Sequence, residues 1–168
     1  MAQKISELKT YKTVNRRDRN GNYKAMEFKF KYNPNVKSFN LRLLSKLLDL
    51  LLYYGIVYVL AKLITFTYPY ILIATLGLFT INPVLETLTG KTFGKLLIGF
   101  EVVDDNCKKP SLLKASTKNI LQLLNLVIYV FTQGVIWKED IYFHNTITNT
   151  YTIKSKNKKE IIAMMNKA

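Results

Sequence analysis

The stretch LRLLSKLLDLLLYYGIVYVLAKLI, residues 41–64, decides the fold. It reads as one long apolar helix with Arg42, Lys46 and Asp49 in its first half and Lys62 near its end. Its 24 residues extend roughly 36 Å at about 1.5 Å per residue, enough to cross a bilayer core. Arg42 and Asp49 are two helical turns apart and share a face, with Lys46 between them and Tyr53 one turn on. With Arg42 at the interface, Asp49 lies about 10 Å into the hydrocarbon. A charge near the bilayer centre costs roughly 2.5–3.5 kcal/mol on insertion scales, and less nearer the surface. Asp49 therefore calls for a partner, a bound proton or a water-filled cavity, and pairing with Lys46 or a basic residue of another segment is the preferred expectation.

The charge distribution supports a membrane reading that bulk composition would not. The chain is 49% apolar, near the globular average. Yet no charged residue or histidine falls between Lys62 and Glu86, nor between Lys118 and Lys138. The net charge of +14 describes the flanks, with ten Lys or Arg against three acids in residues 1–40. A second apolar stretch, about 68–88, carries Pro69 where a first helical turn tolerates it and Pro83 where it should kink the helix. Two transmembrane helices, about 41–64 and 68–88, joined by an uncharged Thr-Phe-Thr turn, are expected. Asn40 is the expected cap of the first. A third apolar segment, about 119–137, carries Gln122, Asn125 and Gln133 and either spans or is re-entrant, the latter being preferred.

Smaller β-elements complete a mainly α, integral membrane fold. YKAMEFKFKY alternates with period two, predicting a half-buried strand, and Asn20-Gly21 before it signals a type I′ hairpin. LIGFEVVD and HNTITNTYTI read as further short strands, and TGKTFGKL as a tight loop against the membrane surface. Three regions follow: a polar basic N-terminal segment (1–40), a membrane domain (41–153) and a Lys-rich tail (154–168). Basic flanks on both sides of the helix pair place the N-terminus and these β-elements in the cytoplasm. The first 40 residues lack the apolar run of a secretory signal peptide, so none is expected.

At this point the motifs resemble a family. R-x-x-S-x-x-L-D at 42–49 is similar to the start of the RDD family, membrane proteins named for one arginine and two aspartates. Gly90, Thr92, Gly94, Lys95 and Gly99, then Val102-Val103 and Pro110-Ser111, resemble its loop after the second helix. Lys118-Asn119 resembles its Arg-Asn, and His144-Asn145 followed by Thr150 its closing His-Asp motif. The resemblance covers about 41–153. It implies transport of an unidentified ligand, or sodium–proton exchange as proposed for some members. Asn145 stands where the second aspartate is expected, and an amide neither carries charge nor exchanges protons.

Other chemistry finds little support. The loop falls one residue short of a phosphate-binding G-x-x-x-x-G-K-[ST], with Leu96 after the lysine. One histidine, His144, and one cysteine, Cys107, do not make a metal site or a nucleophile with its base. No catalytic residue, cofactor or metal is expected. Residues 16–19 sit beside a membrane segment, so anionic lipid headgroups are a better-suited partner than nucleic acid. The leading expectation is a non-enzymatic bacterial inner-membrane protein, an accessory subunit of a larger assembly, with a protein partner or a homo-oligomer. The alternative is an oligomeric transporter or ion/proton exchanger using Asp49.

Overall fold

The computed structural model describes residues 3–17, 22–64, 66–132 and 143–167. Ser38 opens helix α1 (Phe39–Leu60), its Oγ accepting the amide hydrogen of Leu41 at 3.4 Å. The cap is thus two residues before Asn40, which lies inside the first turn. The helix also ends earlier than expected, because the chain tightens beyond Leu60: Lys62 and Leu63 donate to the carbonyls of Val59 and Leu60, three residues back. Helix α2 (Tyr70–Thr89) begins directly after Pro69 and ends at Gly90, whose φ of 76° closes the helix in the left-handed region. Pro83 lies within it and denies the carbonyl of Phe79 its usual amide, yet the helix continues for a further turn and a half.

Both helices are long and apolar enough to cross a membrane. Only 22% and 28% of their most apolar windows are buried inside the chain. Leu43, Leu47 and Leu51 on α1 and Ile71, Leu72 and Leu76 on α2 face outwards. The core helix of a soluble protein would cover these side chains; a lipid-facing helix leaves them bare.

After α2 the chain departs from the expected loop. Thr92 caps a short helix, α3 (Phe93–Ile98), which Gly99 ends at a φ of 79°. Strand β3 (Phe100–Asp104) follows, inside the stretch read as a strand. Helix α4 (Leu112–Thr132) starts seven residues before the third apolar segment and takes in Lys114 and Lys118. Residues 133–137, on which the spanning or re-entrant reading turns, lie outside the described residues. The expected strand at 144–153 divides in two: Phe143–Thr148 is helix α5, and Thr150–Lys154 is strand β4. Asn149, at a φ of 47°, makes the join, a conformation asparagine tolerates better than most residues.

Numbering the first hairpin strands β1 (Lys9–Arg17) and β2 (Tyr23–Lys31), the ladder runs antiparallel from Lys9↔Lys31 to Arg17↔Tyr23. The turn at Asn20-Gly21 falls outside the described residues. Unlike the half-buried strand expected, β2 is exposed along most of both faces, Phe28 being partly covered. A two-stranded ribbon has no second layer unless another element packs on it. Strands β3 and β4 pair antiparallel from Phe100↔Lys154 to Asp104↔Thr150. Against them pack Ile5 and Leu8 from the N-terminal end and Ile161 and Met165 from helix α6 (Lys158–Asn166), around Val103, Cys107 and Ile153. Hydrogen bonds reinforce this small core, including Ile5 N to Asp105 O at 2.9 Å and Ser6 Oγ to Asp105 at 2.7 Å.

Candidate functional site

The inward face of α1 carries Arg42, Ser45, Asp49, Tyr53 and Val57, all buried. The expected shared face of Arg42 and Asp49 is therefore present, and it points into the protein. Asp49 is fully buried, and both of its oxygens are occupied. Oδ1 accepts the backbone amide of Gly94 at 2.7 Å. Oδ2 accepts the Thr92 hydroxyl at 2.7 Å and the Asn82 amide at 3.2 Å. Asn82 in turn accepts the Tyr53 hydroxyl at 2.6 Å. The partners of Asp49 are thus neutral dipoles from α2 and the start of α3, where a basic partner had been the simplest expectation. Fixed dipoles can satisfy a buried carboxylate without bringing in a second desolvated ion.

One turn beyond Asn82 on α2, Glu86 is also fully buried. It forms ion pairs with Lys95 of α3 and, at 2.6 Å, with Lys118 of α4. Lys95 and Lys118 are only 4% and 2% exposed, so this is a triad taken out of solvent, tying three helices together. Burial of such a group tolerates no missing member: removing one partner leaves an uncompensated charge. The half-buried Lys46 turns to α4 as well, donating to Asn119 Oδ1 at 2.6 Å.

Arg42 reaches Asn35, donating from Nη2 to Oδ1 at 3.2 Å. The same Asn35 oxygen accepts the Asn145 side chain at 2.9 Å and the Thr152 amide at 2.9 Å. The first and last residues of the arginine-to-asparagine motif therefore meet through an asparagine that precedes α1. His144 is buried beside this junction, and its proton affinity is driven down to about 3, first by desolvation, then by the positive charges of Arg42, Lys118, Lys46 and Lys95. It is a neutral imidazole at physiological pH. Thr148 and Thr150 share a hydrogen bond at 2.8 Å, closing α5 onto β4.

A narrow cavity opens among these groups, lined by Arg42, Lys46, Lys95, Lys118, Gln122 and His144, with Ser45 and Thr152. The loop glycines serve packing and turns. A Cβ on Gly94 would stand 1.9 Å from the Ser45 carbonyl oxygen, so α3 rests directly on the backbone of α1. The Gly94 amide that a phosphate loop would offer to a ligand is given to Asp49 instead.

Sequence reasoning singled out Arg42, Lys46, Asp49, the loop positions, Asn119, His144 and Asn145. It missed Asn35, Asn82 and Glu86. A signal for two of them existed: Asn82 and Glu86 are four apart in an apolar helix, hence on one face. Asn125 and Gln133 contribute nothing described here; the side chain of the first and all of the second lie outside the described residues.

Comparison with curated proteins and with solved structures gives no match. A family model described as the RDD family matches residues 36–140. That range takes in Arg42, Asp49, Glu86 and the α3 glycines, and stops before His144 and Asn145. The match covers well over half of the chain, and the protein belongs to the RDD family.

Proposed function

We propose that this chain is a non-enzymatic platform, an accessory subunit of a larger assembly in the bacterial cytoplasmic membrane, with its N-terminus in the cytoplasm. The observation that carries this reading is the saturation of Asp49. A carboxylate held by Gly94, Thr92 and Asn82 fixes α1 against α2 and α3 and is poorly arranged to exchange a proton or an ion. The outward apolar faces of α1 and α2 remain for lipid and for a partner helix. The basic flanks favour the cytoplasmic side.

Replacing Asp49 by Asn tests the reading. Asn can keep an oxygen towards Gly94, but its amide then faces the Asn82 amide, donor against donor. A structural clamp predicts reduced abundance and loss of the complex extracted from native membrane in gentle detergent. Normal assembly of D49N, with loss of ion flux in liposomes, would overturn it.

A second reading, an oligomeric exchanger, draws on Glu86. Buried carboxylates with lysine partners between helices are the groups expected along an ion or proton path. Two spanning helices enclose no path alone, so this reading requires several copies or a partner.

A further inference from the structure

We propose that the cavity between α1, α3 and α4 is a binding site for a phosphate-type anion, held by the ammonium groups of Lys46, Lys95 and Lys118. Each ammonium has three N–H donors. The described acceptors are one for each lysine: Asn119 for Lys46, and the two oxygens of Glu86 for Lys95 and Lys118. Among the described residues three lysines thus share one carboxylate, an excess of two positive charges around the cavity. Counting Asp49, whose oxygens already hold Gly94, Thr92 and Asn82, the excess remains positive. Buried cations without matching anions are costly, and a bound oxyanion supplies both the charge and the acceptors.

The remaining lining suits the same ligand. Gln122 offers a neutral hydrogen-bonding group, while the Ser45 hydroxyl already donates to the Arg42 carbonyl at 2.7 Å. His144, kept unprotonated by burial and by these cations, adds polarity without adding charge. The cavity sits where α1 begins and α2 ends, the end of the helix pair that carries the basic flanks. At that end the phosphate of a lipid headgroup and a soluble phosphate are both candidate ligands. The site stands independently of whether the chain is a platform or an exchanger.

The experiment uses the full chain in nanodiscs. In discs of phosphatidylcholine alone, inorganic phosphate is titrated at constant ionic strength while the thermal unfolding midpoint is followed, with chloride as reference. In parallel, discs doped with phosphatidic acid are compared with undoped ones, and lipid retained by the chain is counted by native mass spectrometry. Lys46→Gln is the test variant, since Lys46 is half-buried and outside the Glu86 triad. Lys159→Gln, an exposed lysine on α6, is the charge-matched control.

The expected result is a phosphate-dependent rise in midpoint, or retention of phosphatidic acid. K46Q should weaken it by about tenfold, the loss expected for one charged hydrogen bond, while K159Q leaves it unchanged. Response to inorganic phosphate assigns a soluble ligand; response to phosphatidic acid alone assigns a lipid headgroup. Lys46→Arg should retain binding, which separates a lost ligand contact from a misfolded variant. No response to either probe, or equal responses in K46Q and K159Q, overturns the proposal.

Discussion

Gly94 gives its amide to Asp49 across 2.7 Å while its own Cα lies against the carbonyl of Ser45. The two contacts depend on one another. Only a residue without a side chain lets α3 approach α1 closely enough for a backbone N–H to reach a carboxylate inside it. The side chain that makes α1 costly in a membrane is thus satisfied by a backbone group brought in by a helix of six residues.

Gly94→Ala should therefore act like a loss of Asp49. A methyl group 1.9 Å from a backbone oxygen cannot be accommodated by a rotamer change, so α3 must move away. The Asp49 hydrogen bond is then stretched, and an unsatisfied buried group of this kind costs about 1–3 kcal/mol. Thermal unfolding in detergent should show a lowered midpoint, and abundance should fall. Gly55→Ala, within α1 at a position with open space around its Cβ, should lower neither. A G94A protein as stable as the parent would remove the close approach from the account.

Glu86→Gln should be strongly destabilising although it is a conservative change. It leaves Lys95 and Lys118 buried together without a carboxylate. Breaking a buried pair in this way typically costs about 3–5 kcal/mol. Combining E86Q with Lys118→Met should recover part of the loss, because one stranded cation is removed with its partner. Urea or thermal unfolding of the purified single and double variants decides it.

Acid should destabilise the protein through His144. Its folded-state pKa of about 3 lies below the ordinary 6.5, so the unfolded chain takes up a proton in that window while the folded one does not. Stability is full above about 6.5 and declines as pH falls, by roughly 1.4 kcal/mol per unit between the two values. His144→Gln should flatten this slope. Unfolding midpoints of the two proteins between pH 4 and 7, taken as a difference, isolate the histidine from other titrating groups; parallel curves would rule it out.

The β1–β2 hairpin should rest on anionic lipid. Val14, Met26, Phe28 and Phe30 share one face with Lys12, Arg16 and Lys24, and Arg16 stacks over Phe28 at 5.0 Å. Apolar side chains ringed by cations fit a headgroup layer, and salt screens the attraction over about 10 Å at 0.1 M. Hydrogen exchange of residues 9–31 in discs containing phosphatidylglycerol should slow at low salt and recover at high salt. Equal exchange in neutral and anionic discs at every salt concentration would leave the hairpin without this role.

What could be read from the sequence was what depends on local pattern. Long apolar runs gave α1 and α2, and helical spacing put Arg42, Asp49 and Tyr53 on one face. Six-residue helices such as α3 and α5 are too short to express a period, so the first looked like a loop and the second like a strand. Partners were harder still. Asn35 and Asn145 are 110 positions apart and bond directly. Periodicity tells which way a side chain faces, and says nothing about who is waiting there. Asp49 was expected beside a base because charge is what a sequence displays; the amide of Gly94 carries no letter of its own.

Asp49 and Glu86 are also older than their partners, in the order of synthesis. Asp49 emerges from the ribosome before Asn82, Thr92 and Gly94, and Glu86 before Lys95 and Lys118. At the moment α1 and α2 meet the lipid, Asp49 has only Asn82 of its three partners and Glu86 has neither lysine. A chain halted near residue 90 would present both acids before Thr92, Gly94, Lys95 and Lys118 exist. The Glu86 triad closes only once Lys118 has been made.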